Sequence, residues 1–286
     1  MNIKFKYLRV SSLEECLSAL ADSGPETAIL AGGTDLMISL RNRARTPKLV
    51  MDISRLNETR LVEKDNDTIR IGATLTYSDL IAHPLVAGNF PALATAMNCV
   101  GSPQIRNIGT LGGNIANSSP AADSVPPMMV HQAEVMVQKA NSVRIEKLEK
   151  IIVGPYSNTL EPDELITNII LKPVETSYRQ SYRRIARRRS LSIARVNVAV
   201  LGKTNFDGFI EDARISVGSV APTPLRIKRV EESLKGLKPG PEFFEDASEM
   251  VARQIVELVG MRQSTEYKRP AIAGLVLKCL EDVFID

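Results

Sequence analysis

Residues 107–124 read NIGTLGGNIANSSPAADS, a stretch rich in glycine, hydroxyl and amide groups. Gly109, Gly112 and Gly113 remove side chains so that backbone N–H groups can come close to a ligand. Thr110, Asn114, Asn117, Ser118, Ser119 and Asp123 place donors and acceptors around that gap. The pattern suits a wall for a polyhydroxylated, phosphate-bearing ligand, with backbone donors gathered around phosphate oxygens. Asp123 either accepts from ligand hydroxyls or caps a following turn. So few large apolar side chains occur here that the stretch is not expected to stabilise itself by packing, and a solvated loop is the competing reading.

A second segment of the same kind lies far upstream, Ala31-Gly32-Gly33-Thr34-Asp35-Leu36 after Leu30. Alone it is equally well a strand-to-helix turn with Thr34 or Asp35 as N-cap; joined to the first, it forms a two-sided clamp on one ligand.

Other chemistries find less support. Cys16, Cys99 and Cys279 are widely separated, and His83 and His131 have no partner at ligand spacing, so neither a disulfide framework nor a zinc or iron–sulfur site assembles. Gly202-Lys203-Thr204 ends like a phosphate loop, but the earlier glycine position is Asn197, and a β-turn is expected there. No G-x-G-x-x-G occurs, which argues against the ordinary dinucleotide fold. Arg179, Arg183, Arg184, Arg187, Arg188, Arg189 and Arg195 form a run without an acid, read as a solvated face able to meet an acidic partner or cofactor phosphates. With only Tyr178 and Tyr182 nearby for stacking, nucleic acid is a poor fit.

The elements that must position these groups follow from periodicity. Ser11 with Glu14 and Ser12 with Glu15 form overlapping capping boxes ahead of Leu13, Cys16, Leu17 and Leu20, predicting a helix that ends near Gly24. Strands at 27–31 and 48–53, with a helix from Leu36 between them, complete a β-α-β-α-β unit. A hairpin turns at Asp65-Asn66-Asp67, a short helix follows Thr76 or Ser78, and Pro91 opens another. Strands are expected at 133–139, 142–145 and 164–171. Beyond Tyr178 come strands at 196–201 and 215–220 around a turn at 205–208, then helices at 242–258 and 270–284. The fold class is α+β, divided as 1–57, 58–176 and 177–286.

The 286 residues, 44% hydrophobic, suffice for a real core, and a net charge of +3 from 36 basic and 33 acidic residues carries no strong nucleic-acid or membrane signal. No apolar run reaches membrane-span length and the start lacks a cleavable leader, so a cytoplasmic location is expected.

The segment 31–36 together with residues 104–123 (QIRNIGTLGGNIANSSPAAD), supported by Ala221-Pro222-Thr223-Pro224-Leu225-Arg226 and Tyr267-Lys268-Arg269, resembles the FAD-binding medium subunit of molybdenum hydroxylases, the xanthine and carbon monoxide dehydrogenase family. The resemblance covers essentially the whole chain. It implies a vanillyl-alcohol-oxidase (PCMH)-type FAD-binding domain of two α/β subdomains, then a C-terminal domain of antiparallel sheet plus helices. It also implies that Leu30 through Leu36 and Thr110 to Asn114 hold the FAD pyrophosphate, and that Asp123 meets the ribose side. Val100 and Ile166 fall where relatives lean apolar side chains toward the cofactor. Arg184 stands near a common lysine and Ser192 at a common acid, both departures from the pattern.

The implied activity is that of an oxidoreductase subunit without catalytic residues or metal of its own. Electrons would come from a small [2Fe-2S] subunit and a large molybdopterin subunit of a hetero-oligomer, and leave for NAD+ or another acceptor. A stand-alone flavin oxidase or reductase of the same fold is the alternative enzyme, and an assembly or nucleic-acid-binding module built on residues 179–195 is the alternative of another class.

Overall fold

Alternating apolar residues and well-placed helix caps build the first fifty residues into a parallel three-stranded sheet. The computed structural model describes residues 4–188, 191–260 and 263–285. Strands β1 (Lys6–Arg9), β2 (Thr27–Leu30) and β3 (Leu49–Asp52) are joined by helices α1 (Leu13–Ser23) and α2 (Leu36–Arg41), with spatial order β1-β3-β2. Ser12 caps α1 by accepting from the Glu15 amide at 3.1 Å, while the Glu15 carboxylate returns to the amide of Ser11 at 2.7 Å, one residue earlier than the reciprocal box predicts. Val10, Leu17, Leu20, Met51, Ile53 and Leu56 close a small core.

The chain divides into two units. Unit 1 comprises Met1–Ala82, Ser102–Ser118 and Ala133–Lys172; unit 2 comprises His83–Gly101, Ser119–Gln132 and Pro173–Asp286.

In unit 1 the parallel sheet is followed by β4 (Val62–Asp65) and β5 (Thr68–Gly72), the expected hairpin, with Asn66 at φ 53° in its turn. Helix α3 (Tyr77–Ala82) carries a capping box in which Thr76 and Asp79 exchange amide bonds at 3.1 Å. Strands β6 (Glu134–Lys139), β7 (Ser142–Lys147) and β10 (Leu165–Leu171) complete an antiparallel sheet of order β4-β5-β10-β6-β7. Six of the seven residues of β10 are buried, because it is the central strand and is covered on both faces. A short helix α9 (Leu148–Ile151) and the ribbon of β8 (Ile152–Gly154) with β9 (Ser157–Asn158) fill the connection. Helices α6 (Pro103–Arg106) and α7 (Leu111–Asn117) also belong to this unit.

Unit 2 opens with α4 (Pro84–Asn89), α5 (Pro91–Asn98) and α8 (Val125–Val130). Its sheet, β11 (Arg179–Ala186), β12 (Ala194–Thr204), β13 (Ile210–Gly218) and β14 (Leu225–Arg226), is antiparallel throughout. Val196, Val198 and Val200 of β12 pack on one face with α10 (Lys228–Leu234), α11 (Pro241–Val259) and α12 (Gln263–Phe284). Ala199 and Leu201 turn to the other face, against Ala92, Ala96 and Val130.

Three expectations change. Gly202-Lys203-Thr204 is itself not a turn but the end of β12, and the bend stands at 205–208, where the turn was expected; a Cβ on Gly202 would lie 2.3 Å from the Phe284 ring, so glycine is what lets α12 seat there. Helix α12 begins at Gln263 instead of 270 and contains Pro270. The stretch 107–124 is no loop, since it holds α6's last partner bonds and the whole of α7.

Candidate functional site

The first glycine segment leaves β2 at Leu30, whose carbonyl accepts from the Ile53 amide at 2.9 Å. Gly33 takes φ +72°, which a residue with a side chain rarely adopts. Its carbonyl accepts from Met37 at 3.0 Å and that of Asp35 from Ser39 at 3.0 Å, starting α2. Asp35 is the N-cap residue, but its side chain makes no cap bond. The backbone N–H groups of Gly32, Gly33 and Thr34 reach no acceptor among the described residues, and Ala31 through Thr34 are half-buried. Unpaired, partly buried amides are uncommon in folded chains, and three in a row form a ready acceptor-binding edge. With α2 only six residues long, these donors matter more than any helix dipole.

The second glycine segment lies against the first. A Cβ on Gly32 would sit 1.9 Å from the carbonyl oxygen of Ile108 and 2.9 Å from the Cα of Gly109, so backbone touches backbone with no room for a side chain. Inside this second segment most of the amides are already engaged. Gly109 donates to Ile105 at 2.7 Å, Leu111 to Leu75 at 3.4 Å, Gly112 to Ala73 at 2.9 Å and Asn114 to Thr110 at 3.0 Å. Thr110 caps α7, its hydroxyl accepting from Gly113 at 3.1 Å. Residues 109–114 therefore do not gather free backbone donors as their composition suggested.

Their glycines serve packing instead: a Cβ on Gly112 would meet Ala73 at 2.5 Å, and Leu111 and Ile115, one helical turn apart, are fully buried. Those two side chains also explain why the stretch folds as a helix despite two glycines. Asn117 is half-buried at the end of α7, before Ser118 at φ 50°. Ile166 is buried in β10 opposite Val137, next to a bulge. Unit 1 thus holds Leu30, Ala31, Gly32, Gly33, Thr34, Asp35, Leu36, Gly109, Thr110, Gly112, Gly113, Asn114, Asn117 and Ile166.

Val100, Asp123 and Arg184 belong to unit 2. Val100 is half-buried just beyond α5, its amide bonded to Met97 at 3.1 Å. Asp123 is buried and its carboxylate is held within this unit. One carboxylate oxygen accepts from Arg184 at 2.7 Å; the other accepts from the Tyr182 hydroxyl at 2.5 Å and from the Asn197 amide at 3.4 Å. Arg184 also donates to the carbonyl of Ser192 at 3.2 Å. Burial pushes the Asp123 carboxyl above its ordinary range, against the downward pull of Tyr182, Arg184 and Asn197. Burial, with the Asp123 charge beside it, drives the Tyr182 phenol well above its ordinary value.

Tyr182 and Asn197 were missed by sequence reasoning because the density of arginine masked a period of two. On β11, Tyr182 and Arg184 share the face toward Asp123, with Arg184 in register with Asn197. Ser181 and Arg183 share the opposite face, where both bond Asp282 of α12, at 2.6 and 2.7 Å. In this part of the run Arg184 is drawn into a buried ion pair, while Arg183 stays exposed but is paired with Asp282. Arg187 and Arg188 are exposed, and Arg189 lies outside the described residues. Cys16 and Cys279 are buried, which raises their thiols to about 11 and about 12 and removes them from nucleophilic chemistry near neutral pH.

The residues of unit 1 fit a phosphate-bearing group: three adjacent amides without acceptors, beside a glycine whose missing Cβ opens the approach. Among the described residues no helix is long and apolar enough to cross a membrane.

Comparison with known proteins agrees with this architecture. Residues 3–173 match the model of the FAD binding domain in molybdopterin dehydrogenase, and residues 180–283 that of the CO dehydrogenase flavoprotein C-terminal domain. The chain is 32% identical to the nicotinate dehydrogenase FAD-subunit of Eubacterium barkeri over 98% of its own length and 96% of the relative's. It is 31% identical to the glyceraldehyde dehydrogenase medium chain of Sulfolobus acidocaldarius, with 98% of each covered. It superposes with a TM-score of 0.90, at 26% identity, on a chain of carbon monoxide dehydrogenase from Hydrogenophaga pseudoflava, covering 99% of this chain and 98% of that one. The α+β architecture, the paired glycine segments and both matched domains converge on one conclusion: the chain belongs to the family of FAD-binding medium subunits of the molybdenum hydroxylases.

Proposed function

We propose that this chain holds FAD and serves as the electron-transfer subunit of a larger hydroxylase, receiving electrons from a [2Fe-2S] subunit and delivering them to NAD+ or another acceptor. The observation that carries the reading is the contact between the two glycine segments beside three amides that lack acceptors. Gly32, Gly33 and Thr34 bind the pyrophosphate through those amides, and the Thr34 hydroxyl adds a donor. Gly109, Gly112 and Gly113 keep α7 and its cap Thr110 close enough for Asn114 and Asn117 to reach the same ligand. Leu30, Ala31, Asp35 and Leu36 fix the turn. Asp123, held by Arg184, Tyr182 and Asn197, meets the ribose side, and Val100 and Ile166 supply apolar support. On this reading 1–57 and 58–176 are the two flavin-binding subdomains and 177–286 the C-terminal domain.

Bound FAD supplies a redox carrier; this chain's own residues bind it, orient it and set its electrostatic surroundings. The substrate site belongs to a molybdopterin-bearing partner, in keeping with the relatives named as subunits or chains of dehydrogenases. Purified chain reconstituted with FAD is expected to retain stoichiometric flavin absorbance through gel filtration. Coexpression with an iron–sulfur and a molybdopterin subunit of such a complex is expected to give an assembly whose flavin bleaches on addition of substrate. Chain that never retains flavin would overturn the reading; substrate-driven bleaching of the isolated chain would favour a self-contained flavin enzyme.

A further inference from the structure

One end of unit 2 turns toward water the kind of side chain that a folded protein ordinarily buries. Three of the seven phenylalanines are exposed, and all three stand here. Phe206, at the tip of the turn between β12 and β13, is fully exposed; Phe209, at its root, is 40% exposed, and Phe243, in the first turn of α11, 43%. Several contacts tie them to one place. The amide of Ile210 donates to Leu237 at 2.9 Å and its carbonyl accepts from Gly236 at 2.8 Å, which stitches the turn to the segment leading into α11. Phe244, next to Phe243, holds its ring 5.9 Å from that of Phe284, and Phe284 packs against Gly202, where the hairpin leaves the sheet. The exposed Ile285 follows directly.

The exposure of Phe206 is built into the backbone. The side-chain oxygen of Asn205 accepts from the amides of Asp207 at 3.1 Å and Phe209 at 2.9 Å. The Asn205 amide donates to the Phe209 carbonyl at 2.8 Å, and Gly208 takes φ 80°. A turn pinned in this way carries the ring outward, and a polar residue at 206 would serve the turn equally well. Apolar surface gathered at one end and held toward water marks an interaction site.

The surrounding charges select the occupant. Asp207, Glu242, Glu245 and Asp246 are exposed, and none of them pairs with a cation among the described residues. Lys235 is taken by Glu232 at 2.7 Å, which leaves Lys238 as the remaining cation of residues 235–246. A second copy meeting this face across a two-fold axis would set these acids against themselves, and an anionic lipid surface would repel them.

We propose that this face docks a partner protein whose apolar centre receives the Phe206 ring and whose rim carries lysine and arginine. The partner is another subunit of the hydroxylase, an assignment that rests on the electron-transfer reading. The relatives matched over nearly their whole length, this domain included, are named as a FAD-subunit and a medium chain. Because the turn already fixes the backbone of Phe206, its ring enters a partner's pocket at little cost in conformational entropy.

Sedimentation of the full chain, alone and mixed with an iron–sulfur and a molybdopterin subunit of such a complex, separately and together, tests this. Wild type is expected to remain a monomer alone and to assemble with at least one of the two. Phe206→Ser is expected to weaken that assembly more than about tenfold, with flavin content and unfolding temperature unchanged because the ring is fully exposed in the free chain. Asp207→Asn combined with Glu242→Gln is expected to weaken it less and to flatten its dependence on salt. Phe206→Ser that assembles as tightly as wild type overturns the surface. A wild-type dimer that Phe206→Ser abolishes overturns it in favour of a second copy, and retention on phosphatidylserine vesicles that Phe206→Ser abolishes overturns it in favour of a membrane. Wild type that holds flavin yet assembles with neither subunit overturns the surface and the electron-transfer reading together. Assembly sensitive to Phe206→Ser in a chain that retains no flavin leaves the surface standing and overturns the flavin reading alone.

Discussion

A methyl group on Gly32 would lie 1.9 Å from the carbonyl oxygen of Ile108, and main chain cannot step aside as the end of a side chain can. Gly32→Ala is therefore expected to push the two glycine segments apart, destabilising the fold by about 1–3 kcal/mol and lowering the flavin-to-protein ratio of purified chain. Absorbance and urea titration measure both. Asp52, at the end of β3, illustrates a different kind of residue. It is buried, accepts from the hydroxyl of Tyr7, from Arg9 Nε at 3.1 Å and from the Ser54 amide at 2.9 Å. Burial alone would raise its carboxyl, but Tyr7, Ser54 and Arg9 outweigh it and hold the pKa to about 2. Because the folded value lies below the unfolded one, the stabilisation is present above about pH 4 and is lost as pH falls toward 2, on the order of 2 kcal/mol. Urea midpoints measured across that window should drop for wild type and stay flatter for Asp52→Asn. The strand-to-helix turn at Gly32-Gly33 was legible in the sequence because glycine acts on its own backbone; the capping role of Thr110 and the packing role of Gly112 were not, because they depend on α7 forming against Ala73. Tyr182 and Asn197 were not, since their meaning arises only when β11 and β12 pair in register.

At the scale of elements, legibility followed the same division. Helix α1, the β4–β5 hairpin and the helix opened by Pro91 announce themselves by local caps, turns and proline. Helix α7 does not, because Gly112 and Gly113 depress its intrinsic propensity and its stability comes from packing on Ala73. Helix α12 posed the reverse problem: Pro270 looks like a beginning, yet the helix runs through it. Proline in a helix interior forfeits one amide bond and crowds the preceding turn. Pro270 is exposed, so an alanine there meets no neighbour. Pro270→Ala is expected to stabilise the chain by about 1–2 kcal/mol once the stiffness proline lends the unfolded chain is discounted, a gain that thermal unfolding would register.

For the whole molecule, flavin binding and folding are linked. FAD at a hundredfold excess over its dissociation constant should add about 2.7 kcal/mol to the folded state, and a flavin-stripped chain should melt correspondingly earlier in scanning calorimetry. The chain passes from one unit to the other at residues 82/83, 101/102, 118/119, 132/133 and 172/173, so neither unit is a continuous stretch of sequence. The position of β10 carries that interleaving into the order of synthesis. The β4–β5 hairpin ends at Gly72, but the strand that must lie beside β5 begins only at Leu165. At ordinary elongation rates the hairpin waits roughly 5 to 20 s on the ribosome with its inner edge unpaired. A nascent chain released before residue 171 lacks the central strand of the sheet, which makes this stretch the natural point of chaperone engagement during translation.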